Sequence, residues 1–142
     1  MSTKEQKIGE IVAEHHRREG PLLPVLHAVQ AEFGCVDADS EALVAKGLNL
    51  SRADVHGVVS FYHDFLGQPD LRPVVQVCRA EACKARGVEA LIPAAEKAAG
   101  DRVKLTTVYC LGLCSAGPSA RVGDRLHARL DAPALAQIIE NA

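Results

Sequence analysis

Tryptophan is absent from this 142-residue sequence, and its aromatic residues are three phenylalanines and two tyrosines. The sequence also has no large excess of one charge sign, since it contains 16 lysine and arginine residues and 18 aspartate and glutamate residues. A nucleic-acid-binding protein usually presents a basic face together with aromatic side chains on which bases stack. The composition therefore argues against a nucleic-acid partner.

Long apolar runs are missing as well. No run approaches the roughly 20 residues needed to span a bilayer, and the first ten residues, MSTKEQKIGE, lack the apolar segment of a secretory signal. We therefore expect a soluble, cytoplasmic protein without a membrane partner. In a reducing compartment its five cysteines favour metal binding over disulfides.

Common catalytic and nucleotide-binding motifs are not found. The sequence contains no P-loop, no G-x-G-x-x-G and no motif around a Ser/His/Asp or Cys/His arrangement. It also has no C-x-x-C pair, so dithiol exchange is not expected. The length suits one compact domain, or a small domain with a helical extension, rather than a large enzyme.

Four cysteines lie in two close pairs, each at the end of an apolar run. Cys78 and Cys83 stand in VVQVCRAEAC, and Cys110 and Cys114 stand in VKLTTVYCLGLC. The spacing is C-x4-C, then 26 residues, then C-x3-C. The intervening segment is long enough to return the chain and bring the pairs together, so four converging thiolates predict a metal centre.

The spacing also bears on the kind of metal centre. Structural zinc usually takes ligands from tighter knuckles, often with histidine sharing the site. A 2Fe-2S cluster takes two thiolates per iron, and plant-type ferredoxins also open with C-x4-C. Gly112 and Gly117 would let backbone N–H groups approach the bridging sulfides. We favour a 2Fe-2S cluster; a zinc-stabilised interaction module without a redox role is the alternative.

Other candidate residues receive weaker interpretations. Cys35 follows a glycine that ends a predicted helix and has no cysteine neighbour, so it is not expected to be a ligand. Arg79 and Glu81 lie inside the first ligand loop, where they either tune the charge near the cluster, contact a partner or are simply solvated. His56 and His63 are interpreted as packing or surface groups.

Residues 1–70 are predicted to form an N-terminal helical bundle. Its helices are expected at residues 4–18, at residues 22–33, from a Ser40 cap to Gly47, and from a Ser51 cap onward. Gln68, Pro69 and Asp70 resemble a linker.

Residues 71–142 are predicted to form a second domain of the order β-α-β-β-β-α with a mixed four-stranded sheet, an α+β or α/β class. The expected elements are a strand at 73–78, a helix at 88–99, a strand at 103–109, a hairpin around residues 123–124 and a helix capped by Asp131. The first two strands should be parallel, with a right-handed crossover.

The two cysteine pairs, with CLGLCSAGPSA around the second and GVVSFYHDF upstream, resemble the thioredoxin-like 2Fe-2S ferredoxins, the 24-kDa-type subunit of respiratory complex I and its relatives. Within that family, CRAEAC and VYCLGLCSAGP most resemble the gamma subunit of cytosolic, molybdenum-containing, NAD-dependent formate dehydrogenases. The resemblance covers nearly the whole chain. It implies a thioredoxin-like fold and one 2Fe-2S cluster held by Cys78, Cys83, Cys110 and Cys114.

The resemblance further implies a non-catalytic electron-transfer subunit that is inactive alone. In the family, formate is oxidised at a molybdenum cofactor on another chain, and electrons pass through iron-sulfur clusters to FMN and NAD. The expected partners are therefore an FMN- and NAD-binding subunit and a molybdenum- and iron-sulfur-containing catalytic subunit. The equivalent subunit of complex I or of an NAD-reducing hydrogenase is the alternative within the same class.

Overall fold

Apolar residues at helical spacing dominate the first half of the chain. The computed structural model describes residues 2–142 and folds this half into a unit that ends at Asp70. Its helices are α1 (Thr3–His15), α2 (Leu22–Phe33), α3 (Ala38–Leu48) and α4 (Arg52–Phe61). All four helices contribute to one apolar core, represented by Ile8, Leu26, Val44 and Val55, each at most 1 % exposed. The predicted helical bundle is present in this half.

The α1 helix is shorter than predicted, ending at His15 rather than at residue 18. The imidazole Nδ1 of His15 hydrogen-bonds the Ile11 carbonyl, and that of His16 hydrogen-bonds the Ala13 carbonyl, both at 2.8 Å. Carbonyl groups in the last turn of a helix lack helical partners, and the His16 imidazole supplies one to the Ala13 carbonyl. No helix within the described residues is long and apolar enough to cross a membrane.

The prediction that Ser40 caps α3 was wrong. Asp37 is the cap, because its carboxylate Oδ1 accepts a hydrogen bond from the Ser40 backbone N–H at 2.9 Å. Ser40 itself lies buried in the first turn. The Asp37 carboxylate also accepts hydrogen bonds from Lys4 Nζ at 2.6 and 2.7 Å. This second contact spans 33 residues, so a local capping pattern does not reveal it.

The prediction that Gly47 ends α3 was also wrong, since the helix continues to Leu48 and closes at Asn49. A Cβ added to Gly47 would lie 3.1 Å from Val12 Cγ2 in α1. The glycine therefore permits close packing of α1 against α3 and is not a stop signal.

The capped start of α3 gives a pH prediction. The hydrogen bond from Lys4, followed by that from Ser40, lowers the pKa of Asp37 from 3.8 to about 2. A carboxyl group whose pKa is lower in the folded state stabilises the fold above its unfolded pKa, and this contribution is lost as the pH falls through the folded pKa. We expect the free energy of unfolding of the full chain to fall between about pH 4 and pH 2.

Two variants separate charge from capping. Asp37→Asn keeps a capping side chain without the charge and should lose less stability over this pH range. Asp37→Ala also removes the cap and should lower the free energy of unfolding by about 1 kcal/mol at neutral pH. Urea unfolding followed by circular dichroism measures both. Parallel pH curves for the wild type and Asp37→Asn would contradict the assignment.

The second unit, Leu71–Ala142, contains the sheet. Its elements are β1 (Val74–Cys78), α5 (Glu81–Ala85), α6 (Val88–Ala99), β2 (Lys104–Val108), a 3-10 helix (Cys114–Ala116), β3 (Ala120–Val122), β4 (Arg125–His127) and α7 (Ala132–Asn141). The strand order is β2-β1-β3-β4, with β1 parallel to β2 and the other pairs antiparallel. The predicted mixed four-stranded sheet is confirmed, whereas α5 and the 3-10 helix were not predicted.

The core of this unit lies between the sheet and two helices. Val75 and Val77 of β1 are buried, while Gln76 between them is half-buried, as alternation along a strand requires. The α6 and α7 helices contact each other and bury Ile92 and Ile139 in the same cluster. The ends of β1 and β2 are therefore fixed by a packed scaffold.

Candidate metal centre

Parallel pairing of β1 with β2 determines where both cysteine pairs begin. Cys78 is the last residue of β1 and pairs in register with Val108, the last residue of β2. Cys110 follows two residues later. The Arg79 N–H donates a hydrogen bond to the Val108 carbonyl at 2.9 Å, which extends the pairing past the strand ends. The first cysteine of each pair therefore lies at the same end of the sheet.

Short helical turns carry the second cysteine of each pair. Cys83 lies in α5, and Cys114 begins the 3-10 helix, with which α5 is in contact. These elements contain five and three residues. Such lengths are too short to show apolar periodicity, which explains why the sequence did not reveal them.

The two pairs differ in exposure. Cys78 and Cys83 are each 2 % exposed, whereas Cys110 and Cys114 are exposed. The sulfur atoms of Cys110 and Cys114 lie 3.6 Å apart. Two thiolates bound at about 2.3 Å to one tetrahedral metal ion would be about 3.8 Å apart. The exposed pair is therefore spaced as two ligands of one ion.

Hydrogen-bond donors surround the Cys78 sulfur. Burial raises the pKa of the Cys78 thiol, but hydrogen bonds from the Ala80 N–H, the Cys83 thiol and the N–H groups of Cys110 and Leu111 outweigh burial and lower this pKa. A lower pKa favours the thiolate, which is the form that binds metal. The loop that carries the exposed pair therefore also stabilises the thiolate of Cys78.

The loop at 110–114 adopts an unusual backbone conformation. Cys110 has φ 99°, in a region that residues with a side chain seldom occupy. The Gly112 N–H donates a hydrogen bond to Cys110 Sγ at 3.3 Å. The neighbouring Cys110 sulfur also raises the pKa of the Cys114 thiol, because it accepts a hydrogen bond from the protonated form and repels the thiolate. A bound cation would relieve this repulsion.

Gly117 packs directly against the second buried cysteine. A Cβ added to Gly117 would lie 2.9 Å from Cys83 Sγ and 3.3 Å from Arg86 Cδ. Its backbone, with φ −71° and ψ 166°, is one that any residue adopts. Glycine is therefore required at this position because a side chain would leave too little space for the Cys83 sulfur.

The cysteines fit a cluster that takes its ligands two by two. Among residues 2–142, no three Cys, His, Asp or Glu side chains form a group that could hold a metal ion, so the structure brings the cysteines together as pairs and not as one group of four. The Cys83 thiol hydrogen-bonds Cys78, and Cys110 lies beside Cys114, so the four form one buried and one exposed pair. A 2Fe-2S cluster requires two thiolates at each iron, which this arrangement offers.

The remaining candidate residues lie in other environments. Cys35 is buried in the helical unit, after α2. Arg79 forms a two-pronged ion pair with Glu89 of α6, with nitrogen-oxygen distances of 2.9 and 2.6 Å. His56 Nδ1 lies 3.0 Å from Glu41 Oε2. Glu89 was not identified from the sequence, because its partner Arg79 lies ten residues earlier, in the loop after β1.

Ser119 was also missed by sequence reasoning. Its Oγ lies 3.7 Å from Cys83 Sγ, and its carbonyl accepts a hydrogen bond from the Cys78 N–H at 3.0 Å. The residue is 1 % exposed. It contacts Cys83 across 36 positions of sequence, so no local motif marks it.

Several known proteins are similar to this chain over most of its length. The model of the thioredoxin-like [2Fe-2S] ferredoxin family matches residues 8–142. A subunit of the NADH-quinone oxidoreductase of Rhizobium meliloti (strain 1021) is 31 % identical, with 98 % of this chain and 88 % of the relative covered. The HndA subunit of the NADP-reducing hydrogenase of Solidesulfovibrio fructosivorans is 28 % identical, with 86 % and 77 % covered.

A solved structure is similar as well. In the crystal structure of an air-oxidised NAD+-reducing [NiFe]-hydrogenase, the matching region has a TM-score of 0.69 and 26 % sequence identity. The match covers 84 % of this chain but 22 % of the solved one. The matching region therefore makes up less than a quarter of that hydrogenase chain.

Proposed function

This chain belongs to the thioredoxin-like [2Fe-2S] ferredoxin family, and from this premise we propose that Cys78, Cys83, Cys110 and Cys114 are the ligands of its one 2Fe-2S cluster. The observation that carries the proposal is the parallel register of β1 and β2, which puts the first cysteine of each pair at the same end of the sheet, while the turns that carry Cys83 and Cys114 contact each other. The 3.6 Å separation of the exposed sulfurs supports it. Cluster binding is assigned to residues 71–142, and residues 1–70 are a separate helical domain.

Membership in the family makes the chain an electron-transfer subunit of an oxidoreductase. A bound 2Fe-2S cluster supplies one-electron transfer. The four cysteines would complete its coordination, so no position is left for a substrate. The chain's own residues would hold the cluster, with Cys78 and Cys83 as buried ligands and Cys110 and Cys114 as exposed ones.

The proposed partner surface consists of the loops at 79–82 and 111–117, together with Tyr109. Tyr109 is 74 % exposed and directly precedes the exposed ligand Cys110. Electron transfer demands close approach, so an FMN- and NAD-binding subunit should dock where the ligands reach the surface. The solved hydrogenase supports a larger assembly, because the matching fold makes up 22 % of a longer chain there.

Within this class, we propose a cytoplasmic NAD-dependent formate dehydrogenase as the parent complex. The support is the pair of segments CRAEAC and VYCLGLCSAGP, which resemble the gamma subunit of the molybdenum-containing enzymes. Formate would be oxidised on a partner chain that carries molybdenum and iron-sulfur centres. A complex I or NAD(P)-linked hydrogenase subunit is the second candidate, favoured by the names of the relatives.

Metal analysis tests the cluster itself. Protein purified without oxygen should be red-brown, contain iron and acid-labile sulfide in equal amounts, and bleach when reduced. Stoichiometric zinc without sulfide would contradict the proposal and favour the zinc-stabilised interaction module.

Association and assay test the parent complex. We expect the chain to be inactive alone, to co-purify with the FMN- and NAD-binding subunit, and to support formate-dependent NAD reduction once the molybdenum subunit is added. Tyr109→Ala should weaken association about tenfold or more, because an exposed tyrosine can bury a large area at an interface. Leu126→Ala is the matched control, since β4 lies at the edge of the sheet opposite β2.

The outcomes separate the candidates. Failure to bind the flavin subunit would contradict the partnership. Binding accompanied by NADH oxidation with quinone, or by hydrogen oxidation, would retain the electron-transfer role and move the chain to the second candidate.

A further inference from the structure

A buried hydroxyl lies beside one proposed ligand. Within the described part of the chain, Ser40 and Ser119 are the two polar residues that are fully buried. Ser119 Oγ lies 3.7 Å from Cys83 Sγ, a hydrogen-bond distance for sulfur, and this contact is itself buried. No catalytic step uses Ser119, and the thiol requires no such partner to bind iron.

Metal binding fixes the direction of this hydrogen bond. In the free thiol either atom can donate, but Cys83 bound to iron as a thiolate has no proton to give. The hydroxyl rotates freely and must then be the donor. We propose that Ser119 donates a hydrogen bond to the Cys83 thiolate and thereby raises the reduction potential of the cluster. The inference rests on the proposed function, because it requires Cys83 to be a ligand.

The physical reason is the charge that reduction adds. One electron makes the cluster and its thiolates more negative, so a donor to a ligand sulfur stabilises the reduced form more than the oxidised form. Cys83 is 2 % exposed and Ser119 is 1 % exposed, so water does not compete for either atom. A hydrogen bond is electrostatically stronger in such surroundings.

The backbone of Ser119 is held by the sheet. The Ser119 carbonyl accepts the Cys78 N–H at 3.0 Å, and the next residue, Ala120, begins β3 and pairs with Val77 of β1. Ser119 is therefore anchored to the same strand that ends at the first ligand. Ordering the hydroxyl beside Cys83 needs no rearrangement when the cluster is reduced.

Ser119→Ala in the full chain tests the proposal. We expect cluster content close to that of the wild type, with one-electron reduction about tenfold less favourable, which corresponds to a potential about 59 mV lower. Electron-nuclear double resonance of the reduced protein in D2O should lose one exchangeable deuterium coupling. Ser40→Ala is the matched control: it removes the other fully buried hydroxyl, which lies in the helical unit, and should leave the potential and the coupling unchanged.

A second pair of variants keeps the test decisive if the alanine variant binds too little cluster. Ser119→Thr and Ser119→Val add nearly equal volume, and threonine alone retains the hydroxyl, so the threonine variant should have the higher potential. Equal potentials in either comparison would overturn the role of Ser119. Absence of a cluster from the wild type would instead overturn the proposed function.

Discussion

Cys78→Ser and Cys83→Ser are expected to reduce bound iron and sulfide to less than roughly a tenth of the wild-type content. Both sulfurs belong to residues that are 2 % exposed, so no water can enter to replace a lost ligand. The equivalent changes at Cys110 and Cys114, which are exposed, should leave more cluster with an altered visible spectrum. Iron, sulfide and absorbance measurements after anaerobic purification check this order.

Cys35→Ala is the matched control for the cysteine series. Cys35 is also buried, but it lies in the helical unit and was not predicted to be a ligand. Its replacement should leave the iron and sulfide content unchanged. If a folded Cys35→Ala protein lost its cluster, the ligand assignment would be wrong.

Gly117→Ala is expected to have the second largest effect. The added methyl group would lie 2.9 Å from Cys83 Sγ, closer than a Cβ approaches other atoms, so the sulfur or the turn must move. Overpacking of this kind typically costs about 1–3 kcal/mol. We expect cluster content to fall several-fold and the visible bands of the remaining cluster to shift, as measured by iron analysis and absorbance.

Gly57→Ala supplies the same chemical change where space is open, since nothing lies within 4 Å of its added Cβ in α4. Alanine favours a helix over glycine, so this variant should be at least as stable as the wild type and bind a full cluster. A Gly117→Ala protein with wild-type iron content and spectrum would show that the turn accommodates the methyl group.

The sequence predicted the elements that carry a strong periodic signal. The β-branched runs of β1 and β2 and the apolar face of α6 gave the parallel pair and its crossover, and the hairpin followed from the glycine between β3 and β4. Capping of α3 was mispredicted because Ser40 and Asp37 are both good caps. In the structure Asp37 is the cap, and its carboxylate also contacts Lys4, which is distant in sequence.

The candidate site was predictable to the extent that it is local. Cys78 ends β1 and Cys110 follows β2 by two residues, so their common position at one end of the sheet follows from parallel pairing. The exposure of Cys110 and Cys114 does not follow, because it depends on how the 3-10 turn packs against α5. Ser119 and Glu89 were not predicted, because each contacts a residue that is distant in sequence and comes close only in the folded chain.

The register of β1 against β2 also determines which changes in chain length the protein can tolerate. Cys78 lies opposite Val108 whatever the length of the segment that joins the strands, so insertions in the exposed turn at 100–102 should leave the cysteines in place. A one-residue deletion inside β2 is different, because a slip by one position turns every side chain of a strand to the other face. Homologues and engineered versions of this chain should therefore vary in length after α6 and remain constant from Lys104 to Cys110.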